Sequence, residues 1–202
     1  MDAPEIADPV VAKLIADALA DPAVTPLLAA TPDLAVSVAH FYANGAADDL
    51  VGREPTDLVG AVLSMRAIAA HRELGIPAVR IFTPTVADDG WGCEHTVVQI
   101  VTEDRPFIVD SVSAALNGAD RTISMVLHPI ITRETGPQSW VHIEIDRESQ
   151  TDVIEHLERT LRSVLEDGRA AVQDWPAMRD RAALLSAALL ESPPGGLDPD
   201  DV

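Results

Sequence analysis

The chain has 202 residues, 47% hydrophobic and only 3% aromatic, so it has room for one ordinary domain or a small domain with helical flanks, around a core of Ala, Val, Leu and Ile. Its formal net charge is −19 and Lys13 is its only lysine; such a chain repels phosphate backbones and anionic lipid surfaces, and neither nucleic-acid nor membrane partners are expected. Cys93, the only cysteine, excludes an internal disulfide, no apolar run reaches the ~20 residues that span a bilayer, and the acidic start Met1-Asp2-Ala3-Pro4-Glu5 is unlike a signal peptide, so a cytoplasmic setting is expected.

In chain order, the first third reads as helices. Asp8-Pro9 is a start signal, since Asp accepts from free amides and Pro tolerates the first helical position; Val11, Leu14, Ile15 and Ala18 follow as one apolar stripe. Asp21-Pro22 and Thr31-Pro32 repeat the signal, and the helix after Thr31 carries Leu34, Val38 and Phe41 up to Asn44-Gly45. A fourth helix is predicted from about Pro55 to Arg72, with Leu58, Val62, Met65, Ile68 and Ala69 on its stripe.

The period then changes. Val79 and Ile81 alternate with Arg80 and Phe82 in a short strand, and Pro84 to Gly92 is a loop containing the turn Asp88-Asp89-Gly90. Thr96 to Val101 is β-branched and strand-like. Asp104-Arg105-Pro106 opens a helix with Ile108, Val109, Val112, Ala115 and Leu116 on its inner face, closed by Asn117-Gly118. Ile123, Met125 and Leu127 mark a third strand running as far as Thr132, and Val141, Ile143 and Ile145 a fourth. Ser149-x-x-Asp152 resembles a capping box before a helix with Ile154, Leu157, Leu161, Val164 and Leu165. A last helix is predicted at roughly Pro176 to Leu190, before a Pro/Gly/Asp tail.

This order predicts an α+β fold: a four-stranded antiparallel sheet with two helices on one face, flanked by N-terminal and C-terminal helices. The expected organisation is a helical segment at 1–75, an α+β domain at 76–173, a C-terminal helix at 174–191 and a disordered tail or linker at 192–202.

Chemistry-bearing motifs are few. No Gly-rich fingerprint follows a strand and opens a helix, and Gly90-Trp91-Gly92 precedes a strand and lacks the third glycine, so no cofactor-binding residue is assigned. P-loop, G-x-S-x-G and H-E-x-x-H patterns are missing, and no catalytic residue is assigned. Cys93 and His95 share a strand face and could act as a dyad given a low-pKa thiol, a reading set beside that of an ordinary loop cysteine. His95, His128 and His142 fall on three strands, but chance accounts for that placement and no metal site is expected. Asp104-Arg105-Pro106 lies at a strand-to-helix turn where free amides favour an anion, so Asp104, Arg105, Pro106, Phe107 and Ile108 are the candidate effector-binding residues for a carboxylate such as an amino acid; alternatively Asp104 fills the turn itself.

Glu103-Asp104-Arg105-Pro106-Phe107-Ile108-Val109-Asp110-Ser111-Val112, with strands on both sides, resembles an ACT domain, a ferredoxin-like regulatory module that in many proteins binds amino acids. The usual turn reads Asp-Arg-Pro-Gly-hydrophobic, and Phe107 stands where the Gly is usual. A longer ordered set extends the likeness: Gly52-Arg53-x-Pro55-x-Asp57-Leu58, Val79-Arg80-Ile81-Phe82-x-Pro84, Gly90-Trp91, His95-Thr96-Val97-Val98, Pro106-Phe107-x-Val109-Asp110-Ser111-Val112, His128-Pro129, His142-x-Glu144-Ile145-Asp146 and Val172-x-Asp174-Trp175-Pro176-x-Met178. Together these resemble the N-terminal region of the large NAD-specific glutamate dehydrogenases.

The resemblance implies a longer parent that oxidises L-glutamate to 2-oxoglutarate and ammonia with NAD, with its catalytic groups in a later domain. None of that machinery maps onto this chain. It implies a non-catalytic regulatory and assembly segment whose partners are downstream domains of the same chain, further copies of itself and an amino-acid effector. A free-standing amino-acid sensor is the alternative. It also implies a permuted sheet: the strand at 78–84 takes the edge place, antiparallel to the next strand, that the last strand of an ACT domain usually holds.

Overall fold

Helix starts read from the sequence hold at Asp8-Pro9 and at Pro55, and slip after Asp21-Pro22 and Thr31-Pro32. Asp8 Oδ1 accepts from the N–H groups of Val10 (2.7 Å) and Val11 (3.3 Å), and Pro9 opens helix α1 (Pro9–Ala20). Asp21 Oδ1 instead accepts from the N–H of Ala23 at 2.8 Å and holds a turn, so α2 (Thr25–Ala30) begins three residues beyond Pro22. Past Thr31-Pro32, Asp33 enters the left-handed region (φ 58°) and α3 (Leu34–Tyr42) starts behind it. A single-turn helix, α4 (Ala47–Leu50), precedes α5 (Pro55–His71), which fills the predicted span. These assignments come from a computed structural model that describes residues 4–191. The tail or linker expected at 192–202 lies outside the described residues.

Strand β1 (Ala78–Phe82), the short helix α6 (Val86–Asp89), β2 (Thr96–Glu103), α7 (Ile108–Gly118), β3 (Ile123–Leu127), β4 (Ile130–Arg133) and β5 (Gly136–Ile145) follow. The antiparallel sheet has five strands, not four, in the order β1-β2-β5-β3, with β4 also pairing β5. The extra strand arises because the predicted third strand breaks at His128-Pro129. Proline cannot donate to a ladder, and there the Pro129 carbonyl accepts from the Trp140 N–H at 3.0 Å. Strand β1 lies at the edge, antiparallel to β2 from Ala78↔Val101 to Phe82↔Val97, which is the permuted arrangement.

Both sheet faces are covered, so β2 is buried from Thr96 to Thr102 instead of alternating. On one face, Val98, Ile100, Val141, Ile143 and Ile145 pack against α7 and against Leu157, Leu161 and Leu165 of the last helix, α8 (Thr151–Glu191). On the other, Val101, Met125, Leu127 and Trp140 share a core with Val11, Ile15, Val38, Phe41, Val62 and Met65. The helices of residues 1–75 thus close a face of the sheet and have no separate core. The turn that leads into α8 is held by Glu148, whose Oε1 accepts from the N–H groups of Ser149 (2.7 Å) and Gln150 (2.8 Å), the two residues before the helix.

The described residues divide into two compact units, one ending at Leu165 and the other beginning at Glu166. The two helices expected on either side of residue 174 are one continuous helix, α8. Pro176 lacks an N–H and so removes one helical hydrogen bond, and the turns before and after it keep the helix running. Among the described residues, no helix is long and apolar enough to cross a membrane.

Candidate functional site

The face of β2 and β5 turned toward α5 carries polar side chains where a core would be apolar. Gln99 and His142 stand directly opposite each other in the ladder, and Val97 stands opposite Glu144. Gln99, His142 and Glu144 are all buried, so each needs a partner. Ser64 donates to Gln99 Oε1 at 2.8 Å. The Gln99 amide donates to the Ala61 carbonyl at 3.2 Å and lies 3.3 Å from His142 Nδ1. With the Gln99 nitrogen as donor, His142 Nδ1 accepts and the ring proton sits on Nε2, which lies 3.7 Å from Glu144 Oε1. Burial pulls the His142 pKa down, against the attraction of Glu144, which favours a neutral ring. Phe41 closes over it edge to face, with ring centroids 5.5 Å apart.

Glu144 ends the row. Arg53, from the turn before α5, grips both of its oxygens, at 2.5 Å from Nη1 and 2.8 Å from Nη2. Arg53 Nε also donates to the Asp49 carbonyl at 2.6 Å, which fixes the fork. Burial alone would push the Glu144 carboxyl up, but contacts with His142 and Arg53 outweigh it and hold the carboxyl down at about 2. The Arg53 fork is the closer of the two contacts, with two short hydrogen bonds against a 3.7 Å approach by His142.

Cys93 and His95, just before β2, reach the same carboxylate. His95 Nδ1 lies 3.4 Å from Glu144 Oε2, and the ligand atoms of Cys93, His95 and Glu144 all lie within 4.8 Å of one another. Beside them opens a cavity of about 470 Å³ whose lining includes Asp49, Arg53, Glu54, Asp57 and Glu94. Burial and the charge of Glu144 push the Cys93 thiol up to about 11, opposite to the direction an activated nucleophile requires. Glu144 was out of reach of sequence spacing, because only the β2–β5 register brings it to Cys93. Of the three histidines weighed from the sequence, only His95 joins this cluster.

The turn at 104–108 stands apart from that cavity. Asp104 Oδ1 accepts from Ser139 Oγ at 2.6 Å, and the Asp104 N–H donates to the Pro137 carbonyl at 3.1 Å. Arg105 donates to the Leu165 carbonyl at 2.5 Å. Pro106 precedes Phe107, which is in the left-handed region (φ 67°, ψ 11°) and 70% exposed, while Ile108 is buried. Gly90-Trp91-Gly92 is not a nucleotide cradle either: Trp91 is buried against Gly60, and the Gly92 N–H is taken by Asp57 Oδ1 at 2.8 Å. NAD therefore finds no phosphate-binding turn there, and no step of its chemistry is assigned to these residues.

Comparison with known proteins places this arrangement. Residues 37–135 match the family described as glutamate dehydrogenase, ACT1 domain. The NAD-specific glutamate dehydrogenase of Halomonas elongata is 31% identical over 180 residues, covering 80% of this chain and 11% of that protein. The NAD-specific glutamate dehydrogenase of Pseudomonas aeruginosa is 26% identical over 172 residues, covering 76% of this chain and again 11% of the relative.

Proposed function

This chain belongs to the NAD-specific glutamate dehydrogenase family through its ACT1 domain, and from that premise we propose that it is a regulatory and assembly segment with no catalytic residues of its own. The observation that carries the reading is the pairing of an ACT1 match with coverage of only 11% of each relative. In this reading the whole protein oxidises L-glutamate with NAD and water to 2-oxoglutarate, ammonia and NADH, and the reacting groups lie in its other domains. The cytoplasm is the setting, and the downstream domains of the same chain are its first partners.

The assembly part is supported by the second unit. Ala171, Trp175, Met178, Ala182, Leu185 and Leu189 follow one another at alternating steps of four and three, the spacing of a two-stranded helical seam. Trp175, Met178, Leu185 and Leu189 are all exposed. The occupant proposed for this seam is a second copy of the chain in parallel. Asp174, just before Trp175, would face Arg179 of the other copy five residues on, an attractive pair at the flanking positions. Sedimentation of the 202-residue chain tests this. A dimer that Leu185→Asp converts to monomer, with helix and sheet content kept, supports assembly; a monomer at every concentration overturns it.

The regulatory part is tested by calorimetric titration with amino acids, glutamate included. Saturable binding lost on altering Asp104 or Arg105 would make the β2–α7 turn an effector site. Absence of binding would leave assembly as the segment's task.

A further inference from the structure

We propose that Cys93, His95 and Glu144 form a site for a divalent transition cation of the zinc class, at the mouth of the cavity beside Arg53. The argument starts from donor chemistry. A thiolate, an imidazole nitrogen and a carboxylate oxygen are the three donor types that zinc takes, whereas calcium and magnesium select oxygen alone. Here the three atoms lie within 4.8 Å of one another, a separation that small side-chain rotations close to the edge of a tetrahedron. The chain brings them together from two places: Cys93 and His95 precede β2, and Glu144 comes from β5 across the ladder.

Arg53 does not close the site. It occupies one lone-pair direction on each Glu144 oxygen, and each oxygen keeps a second, so the carboxylate can bridge the guanidinium and a cation. The positive charge of Arg53 is offset by Asp49, Glu54, Asp57 and Glu94 in the same cavity lining. Arg53 then serves as the outer partner that fixes a ligating carboxylate, as such ligands require. The cavity leaves the fourth coordination position open to water. On binding, the Cys93 S–H bond breaks, its proton passes to solvent, and the sulfur electron pair forms the bond to the cation.

Cobalt(II) is the probe, because its thiolate bond absorbs in the near ultraviolet and its tetrahedral sites absorb in the visible. Titration of the metal-free 202-residue chain is expected to raise both bands to saturation at one cobalt per chain, and zinc(II) is expected to bleach them. Cys93→Ser should abolish the near-ultraviolet band, and His95→Ala should weaken cobalt affinity at least tenfold. Both positions are half-buried, Cys93 at the margin of the small Trp91 cluster, and Ser nearly matches Cys in size, so circular dichroism should stay unchanged. A chain with no thiolate band, or one whose bands survive both substitutions, overturns the proposal.

Discussion

Arg53 and Glu144, ninety-one positions apart, form a two-pronged ion pair in which one partner is almost wholly buried on the central strand and the other reaches in from the turn before α5. The pair joins the helical cover to the sheet at Glu144, next to the contact of Val97, opposite it in the ladder, with Ala61 of α5. Its geometry is the bidentate form in which a guanidinium matches a carboxylate best. Each charge is tolerated only because the other is present.

Glu144→Gln should therefore cost about 3–5 kcal/mol of stability, since it leaves the Arg53 guanidinium unpaired in a half-buried place. Arg53→Met should cost a similar amount, and the double variant Arg53→Met/Glu144→Leu less than the sum of the two. Urea unfolding of the four chains checks this. Additive losses would mean that the two side chains do not stabilise each other.

The same pair sets an acid limit. The Glu144 carboxyl titrates at about 2 in the folded chain and near 4.5 in the unfolded one. Its contribution is present in full above the unfolded value and is lost as pH falls from 4.5 toward 2. With chelator present, the stability gap between wild type and Glu144→Gln should be constant from neutral pH to about 5 and shrink below it. A gap that persisted unchanged at pH 3 would place the carboxyl's pKa elsewhere.

Gly60 sits in the middle of α5, where replacing glycine by alanine ordinarily gains about 1 kcal/mol. Here a Cβ would lie 2.3 Å from Trp91 Cβ and 2.5 Å from its Cγ. Trp91 is itself buried between α5 and the sheet, so it cannot withdraw. Gly60→Ala should reverse the usual sign and destabilise by about 1–3 kcal/mol. Thermal unfolding together with tryptophan fluorescence would report both the loss and the displaced indole.

Much of this fold is legible in the sequence because its signals are local. Asp8-Pro9, the stripe of α5 and the alternation in β1 each state their element within a few residues, and the order of elements then leaves one place for the edge strand. What escapes is set by pairing. The split of the third strand depends on where Pro129 meets Trp140, and the unbroken burial of β2 depends on two covered faces that no period within the strand records. The polar row is hidden for the same reason: Gln99, His142 and Glu144 look like the wet side of alternating strands, and only the packing of α5 over them makes them a buried network. The turn at 104–108 was visible as a motif, but the conformation of Phe107 was not.

That conformation gives the last prediction. Phe107 holds φ 67° and ψ 11°, a region that costs a side-chain-bearing residue roughly 1–2 kcal/mol. It is the place where ACT-type turns usually carry glycine, which enters that region freely. The ring is 70% exposed, so its removal forfeits little burial. Phe107→Gly should relieve the strain while adding roughly 0.5–1 kcal/mol of chain entropy to the unfolded state, leaving a net gain of up to about 1.5 kcal/mol. Phe107→Ala removes the same ring but keeps the Cβ, and should change stability by less than about 0.5 kcal/mol. Urea unfolding of the two variants beside wild type separates the contributions. A loss in both would mean that the exposed ring does structural work that outweighs the strain of its backbone.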